Sequence, residues 1–276
     1  MPSVRSSGVE IHYEVSGEGP PVILGHSLLC SGEMWRHQVP ALARRHRVVN
    51  VDARGHGASG HITSRFTLYD SLADHLAVLD ALGIERAVWV GLSQGAMVAL
   101  RAALTAPQRV SGLVLLDTDA GRETLGTVLK DSLLGVIART VGVRPVKAQV
   151  AKIMFARTTL RENPALVAEW GERFAALHVP SILHALAAVT GRDDLLPRLG
   201  RISAPTLVMV GAEDAAQPPA RSRRLAGAIR GARLVEIPRA GHLSAIEQPE
   251  AVTAELVGFL EGLGRGAQAA PAPAPA

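Results

Sequence analysis

Up to Leu116, apolar runs of strand length alternate with glycine- and proline-rich breaks and with longer stretches of helical spacing. Residues 9–15 alternate apolar and polar positions and predict a strand at a sheet edge, with a turn over residues 16–20. Residues 21–26 and 110–116 read as buried strands, and residues 47–52 as a further strand. Between them, residues 35–44 predict an amphipathic helix. Leu68, Leu72, Leu76, Leu79 and Leu82 predict another, closed by Gly83. From Asp119 to about Leu199 the alternation stops, and helical patterns take over at 124–141, 145–157, 164–177 and 181–189. It then resumes with strands at 205–211 and 232–238 and helices at 219–229 and 251–263.

Strands alternating with helices imply an α/β fold, a mostly parallel sheet with helices on both faces. The helical stretch set between two strands predicts an inserted lid over the C-terminal edge of the sheet, where ligands bind in such folds. The expected organisation is a core formed by residues 1–119 and 200–263, a helical lid over 120–199, and a disordered Ala/Pro tail over 264–276.

Residues 87–99 concentrate the chemistry. Val88-Trp89-Val90 reads as a buried strand, and Ala96-Met97-Val98-Ala99-Leu100 as the start of a buried helix. Between them lies Gly91-Leu92-Ser93-Gln94-Gly95, a G-x-S-x-G. A strand that turns sharply into a helix packed on it leaves no room for side chains two residues either side of the turn. Gly91 and Gly95 supply that room. The apex residue, Ser93, is forced into a strained backbone with its side chain presented, which is a nucleophile elbow. It also stands at a helix N-terminus, where free N–H groups favour developing negative charge.

Composition narrows the partners. A hydrophobic share of 47% supplies a full core. The net charge of +4 is spread over scattered arginines, so neither nucleic acid nor membrane is expected as a partner. The one cysteine, Cys30, rules out intrachain disulfides and a cysteine metal framework and reads as a small buried residue. No apolar leader follows Met1, and a cytoplasmic location is expected. The histidines are dispersed without metal-ligand spacing, and Gly55, Gly57 and Gly60 do not form a dinucleotide fingerprint, so no metal or cofactor is expected.

A serine nucleophile needs a base, and the base an orienting acid. Strand 205–211 ends in Gly211-Ala212-Glu213-Asp214, and strand 232–238 is followed by Ala240-Gly241-His242. The order Ser93, Asp214, His242 is the order this architecture requires. Asp117 and Asp119, after strand 110–116, are rival acids, with Asp214 favoured for its Gly-x-x-Asp turn; Glu213 reads as a surface neighbour. The backbone N–H groups of Gln94 and Leu28 are the expected oxyanion donors. His26 and His56 read as residues that shape loops.

Five blocks in order then carry a resemblance: Gly25-His26-Ser27-Leu28 with Met34-Trp35, Asp52-Ala53-Arg54-Gly55-His56-Gly57-Ala58-Ser59, the elbow, Gly211-Ala212-Glu213-Asp214, and Ala240-Gly241-His242. From Val9 to about Leu263 the chain resembles the α/β-hydrolase superfamily. His26-Ser27-Leu28, residues 81–87 and residues 241–250 make it most similar to the 3-oxoadipate enol-lactonase branch. It departs from that branch at Gln94, where methionine is usual, and at His26, where asparagine is frequent.

The resemblance implies a small-molecule ester or lactone substrate, with water as co-substrate and an acyl-enzyme intermediate. The same residues would also serve a carbon–carbon bond hydrolase, a cofactor-free perhydrolase or haloperoxidase, or a non-catalytic ligand-binding member. An enol-lactone that carries a carboxylate would need a cation in the lid, for which Arg122, Arg139 and Arg157 are candidates. With aromatic residues at only 3%, the pocket should be aliphatic, and Leu133, Ile137, Ile153, Met154 and Leu177 are expected to line it or pack on the sheet.

Overall fold

The computed structural model of the chain describes residues 2–141 and 146–268. Its centre is an eight-stranded sheet made of β1 (Ser3–Ser6), β2 (Val9–Ser16), β3 (Pro21–Gly25), β4 (Arg47–Val51), β5 (Ala87–Leu92), β6 (Val110–Leu116), β7 (Thr206–Gly211) and β8 (Arg233–Ile237). The order is β1-β2-β4-β3-β5-β6-β7-β8. β1 and β2 run antiparallel to their neighbours, and the remaining pairs are parallel. The expected edge strand, residues 9–15, is therefore second in the sheet. The short β1 covers it, and its few polar residues gave no strand signal in the sequence.

The helices are α1 (Val39–Leu42), α2 (Leu68–Ala81), α3 (Gln94–Thr105), α4 (Leu125–Val141), α5 (Lys147–Met154), α6 (Arg157–Glu162), α7 (Pro164–Ala175), α8 (Val179–Thr190), α9 (Pro219–Ala228), α10 (Ser244–Glu247) and α11 (Pro249–Gln268). Alternate strand residues face opposite layers, as a period of two requires. Ile23, Trp89, Leu113 and Leu115 pack with α2, α3 and α9. Leu24, Val88, Val90 and Val114 pack with Trp35, Leu256 and Leu260 on the other side.

Three helical expectations change. Residues 35–44 are not one helix but a 3-10 turn at Gly32–Trp35 and the single turn α1, which starts with Pro40 in its first turn. Proline opens a helix well but has no N–H with which to continue one from upstream. Residues 145–157 contain α5, which ends at an extended Phe155 before α6 begins. The Ala156 N–H at this break donates to the carboxylate of Glu247 at 2.8 Å, so a tertiary contact replaces the next helical bond. Finally, α11 runs past Leu263 to Gln268, into the stretch expected to be tail. The rest of that tail, residues 269–276, lies outside the described residues.

The loop after β4 is held from within. Asp52 accepts from the N–H groups of Gly32 at 2.7 Å and Ala58 at 2.8 Å. Arg54 makes a two-pronged pair with Asp74 of α2, both contacts at 2.6 Å, and both residues are buried. Removing one member strands the other's charge in the interior. Asp74→Ala is expected to cost about 3–5 kcal/mol of unfolding free energy, read from urea denaturation.

Candidate active site

The elbow is built by close backbone contact. A Cβ on Gly95 would sit 2.2 Å from the Gly25 carbonyl oxygen, and one on Gly91 would sit 2.3 Å from the Ala96 nitrogen. Only glycine lets β3, β5 and α3 approach this closely. Ser93 has φ of 53°, a left-handed conformation that a residue with a Cβ adopts at a cost. Its N–H donates to the Leu116 carbonyl at 2.9 Å, and the Gly95 N–H donates to the His26 carbonyl at 3.1 Å.

The ends of β5, β7 and β8 bring three side chains together. The Ser93 Oγ lies 2.9 Å from His242 Nε2, and His242 Nδ1 lies 2.9 Å from Asp214 Oδ2. All three are buried. The other oxygen of Asp214 accepts from the N–H groups of Ala216 and Gln217, each at 2.8 Å. A carboxylate on Nδ1 fixes the tautomer in which Nε2 faces the serine hydroxyl as an acceptor. Burial disfavours the charged imidazole. The charge and hydrogen bond of Asp214, with Asp117 and Glu247 nearby, outweigh burial and raise the pKa above the ordinary histidine value.

The rival acids have other partners. Asp119 accepts from the N–H groups of Ala120 and Gly121 and from Arg224. Asp117 accepts from the Gly211 N–H at 2.7 Å and from the Ser244 hydroxyl. It therefore ties the loop that carries the acid to the helix that follows the histidine. Complete burial raises its pKa well above the usual carboxylate range, and the charge of Asp214 raises it further.

The N–H groups of Leu28 and Gln94 have no acceptor among the described residues. His26 sets the loop that carries Leu28. Its Nδ1 lies 2.8 Å from the Ser27 carbonyl, and its Nε2 accepts from the Ala53 N–H at 2.8 Å. His56 Nδ1 lies 3.0 Å from the Arg54 carbonyl, within the turn it was expected to shape. The Ser27 hydroxyl and both polar atoms of the Gln94 side chain are buried without a partner among the described residues. Cys30 is buried, and burial raises its thiol pKa, so it stays a neutral thiol.

A cavity of about 270 Å³ opens above Ser93 and His242. Ile153, Met154 and Leu177 line it as expected. Leu133 instead points to solvent at 60% exposed, and Ile137 is half-buried outside the wall, because α4 turns Thr127 and Gly135 inward. Arg122, Arg139 and Arg157 are exposed, and none reaches the wall. Among the described residues, no group of three or more histidine, cysteine or acidic side chains is placed to hold a metal. No single described helix is long and apolar enough to cross a membrane.

Two carboxylates carry more of the site than the sequence suggested. Glu247 accepts from the N–H groups of Gly241, Leu243 and Ala156 and from the Thr159 hydroxyl, so it joins the His242 loop to α6. Glu213 is not a free surface neighbour, since it takes the Thr158 N–H at 3.0 Å and the Thr158 hydroxyl at 2.6 Å. Gly241 and Leu243 are near neighbours of Glu247, but the donors from Ala156, Thr158 and Thr159 lie 55 to 91 residues away in sequence, and no local motif announces them.

Residues 20–249 match the family described as alpha/beta hydrolase fold, and the chain belongs to that family. Within it the chain is enol-lactonase-like. It is similar to the enol-lactonase from Burkholderia xenovorans LB400, at a TM-score of 0.88 and 32% identity over 94% of this chain and 100% of that one. It is 28% identical to 3-oxoadipate enol-lactonase 2 of Acinetobacter baylyi, over 90% of this chain and 92% of the relative. It is also 32% identical to a protein of Mycobacterium tuberculosis named putative non-heme bromoperoxidase BpoC, over 91% of this chain and 97% of the relative.

Proposed function

We propose that this protein is a serine hydrolase of small carboxylic esters or lactones, with Ser93 as nucleophile, His242 as base and Asp214 as orienting acid. The observation that carries this reading is the continuous chain of two 2.9 Å hydrogen bonds from Ser93 through His242 to Asp214, on the floor of a cavity. Residues 120–199 would act as the lid over a core formed by residues 1–119 and 200–263.

The Ser93 oxygen attacks the carbonyl carbon while its proton passes to His242 Nε2. The carbonyl oxygen, now negative, accepts from the N–H groups of Leu28 and Gln94, a contribution worth about 10²–10³ in rate per donor. The carbon–oxygen bond to the leaving group breaks, and His242 returns its proton to that oxygen. Water then enters, gives a proton to His242, and bonds to the acyl carbon. The carbon–Ser93 bond breaks, the serine regains its proton, and the acid leaves. Asp214 keeps Nδ1–H fixed and stabilises each imidazolium.

The test is turnover of p-nitrophenyl acetate and butyrate and of δ-valerolactone as a function of pH. His242 must be neutral to accept the serine proton. Activity is therefore expected to be low in acid and to rise through the His242 pKa, with a midpoint above the ordinary histidine value of about 6.5. Turnover that stays undiminished in acid would remove histidine as the base. No turnover of any of these substrates would favour a ligand-binding member of the fold.

A further inference from the structure

The cavity wall is aliphatic, built largely from Val150, Ile153, Ile182, Leu183, Leu186 and Val189. Besides His242, its one ionisable side chain among the described residues is Glu123. That side chain is 4% exposed, and two guanidinium groups converge on it. Arg192 donates to one carboxylate oxygen at 2.9 Å, and Arg221 donates to the other at 3.0 Å. Arg192 is itself locked by the carbonyls of Gly121 at 2.8 Å and Val189 at 3.0 Å, and Arg221 also donates to Gln217 at 2.9 Å. Two arginines aimed at one point form the arrangement a protein uses to receive a substrate carboxylate. Here the chain fills it with its own.

Burial alone would push the Glu123 pKa up, but the hydrogen bonds and charges of Arg221 and Arg192 hold it at about 2. It is an anion throughout the neutral range. A second carboxylate entering the cavity would lose its hydration among apolar side chains and face Glu123 rather than its two cations, which do not line the wall and whose donors are already engaged. A methylene chain meets no such cost. Each buried methylene strengthens binding by about fourfold, and the aliphatic wall offers it that burial.

We propose that Glu123 is a resident carboxylate that makes this site select neutral aliphatic acyl chains and reject chains that end in an acid. The inference rests on the reading of Ser93 as nucleophile. It separates this chain from 3-oxoadipate enol-lactone, whose carboxylate would find no free cation at the wall.

The test compares p-nitrophenyl octanoate with mono-p-nitrophenyl suberate, the same eight-carbon chain with and without a terminal carboxylate. A p-nitrophenyl ladder from acetate to dodecanoate and a fluorophosphonate labelling of Ser93 accompany it. The expected result is that kcat/KM rises from acetate to about octanoate and favours octanoate over suberate by about 100-fold. In Glu123→Gln, which removes the carboxylate charge and one of the two acceptor oxygens that engage Arg192 and Arg221, that preference is expected to shrink by about tenfold. A labelled wild-type enzyme that takes suberate as readily as octanoate would overturn the inference and leave the hydrolase reading intact. An unchanged ratio in Glu123→Gln, with suberate still rejected, would remove Glu123 as the selector. Absence of both turnover and labelling would overturn the hydrolase reading itself.

Discussion

Ser93→Ala is expected to lower kcat for p-nitrophenyl butyrate on the order of 10⁶-fold while leaving the melting temperature and far-ultraviolet spectrum of the wild type in place. The size follows from the arrangement. The serine oxygen forms the covalent bond, and His242 and Asp214 act only through it, so removing it silences the whole unit. The Leu28 and Gln94 amides and the cavity would remain, and they would supply a residual acceleration over water. The fold should be unaffected, because among the described residues the Ser93 hydroxyl bonds only to His242, while its backbone N–H and carbonyl make the structural contacts with Leu116, Met97 and Thr118. A loss of activity accompanied by unfolding would mean that the elbow depends on the hydroxyl, which these contacts do not indicate.

Gly95→Val should give a chain that does not reach the native fold. The Cβ it introduces would lie 2.2 Å from the Gly25 carbonyl oxygen and 2.3 Å from its carbon. Both are backbone atoms of β3, in the middle of the sheet, and neither can rotate aside. Relief requires α3 to move off β3, which breaks the layer formed by Ala96, Val98, Ala99 and Leu100 against the strands. Overpacking of flexible side chains already costs about 1–3 kcal/mol, and a backbone clash exceeds that. Against a total stability of about 5–15 kcal/mol, most of the native population is forfeited. Soluble expression and circular dichroism are the readouts, and a folded Gly95→Val with wild-type melting would contradict the elbow geometry.

The parts of this molecule visible in the sequence are those that local physics dictates. β6 runs over the seven residues predicted for it, Val110–Leu116, because a strand buried on both faces is mostly apolar, here through Val110 and Leu113-Val114-Leu115-Leu116. α2 follows its leucine spacing, and its start is fixed by the capping box of Thr67 and Asp70. The elbow announced itself because its two glycines and apex serine are consecutive in the chain. The order of Ser93, Asp214 and His242 was legible because each follows a strand.

Of what escaped, β1 has too few apolar residues to signal a strand, yet it pairs with the neighbouring β2; the rest was decided across long separations. The break between α5 and α6 is set by Glu247, and the charge that faces the cavity is set by Arg192 and Arg221 acting on Glu123. The sequence offered Arg122, Arg139 and Arg157 as cations for a substrate. Arg192, buried beside the cavity, instead serves a carboxylate of the chain itself. Helical periodicity shows which face of a helix is apolar. It does not show which helix turns a small residue inward, as α4 does with Gly135, or which leaves Leu133 in solvent.

The hydrolase reading stands on Ser93 as a nucleophile activated by His242. The most direct measurement is the mass of the protein after reaction with a fluorophosphonate, followed by peptide mapping, for the wild type and for His242→Ala. One adduct per chain is expected, located on Ser93, with the reaction slowed by several orders of magnitude when the histidine is removed. An adduct on another residue, or equal labelling rates with and without His242, would contradict it.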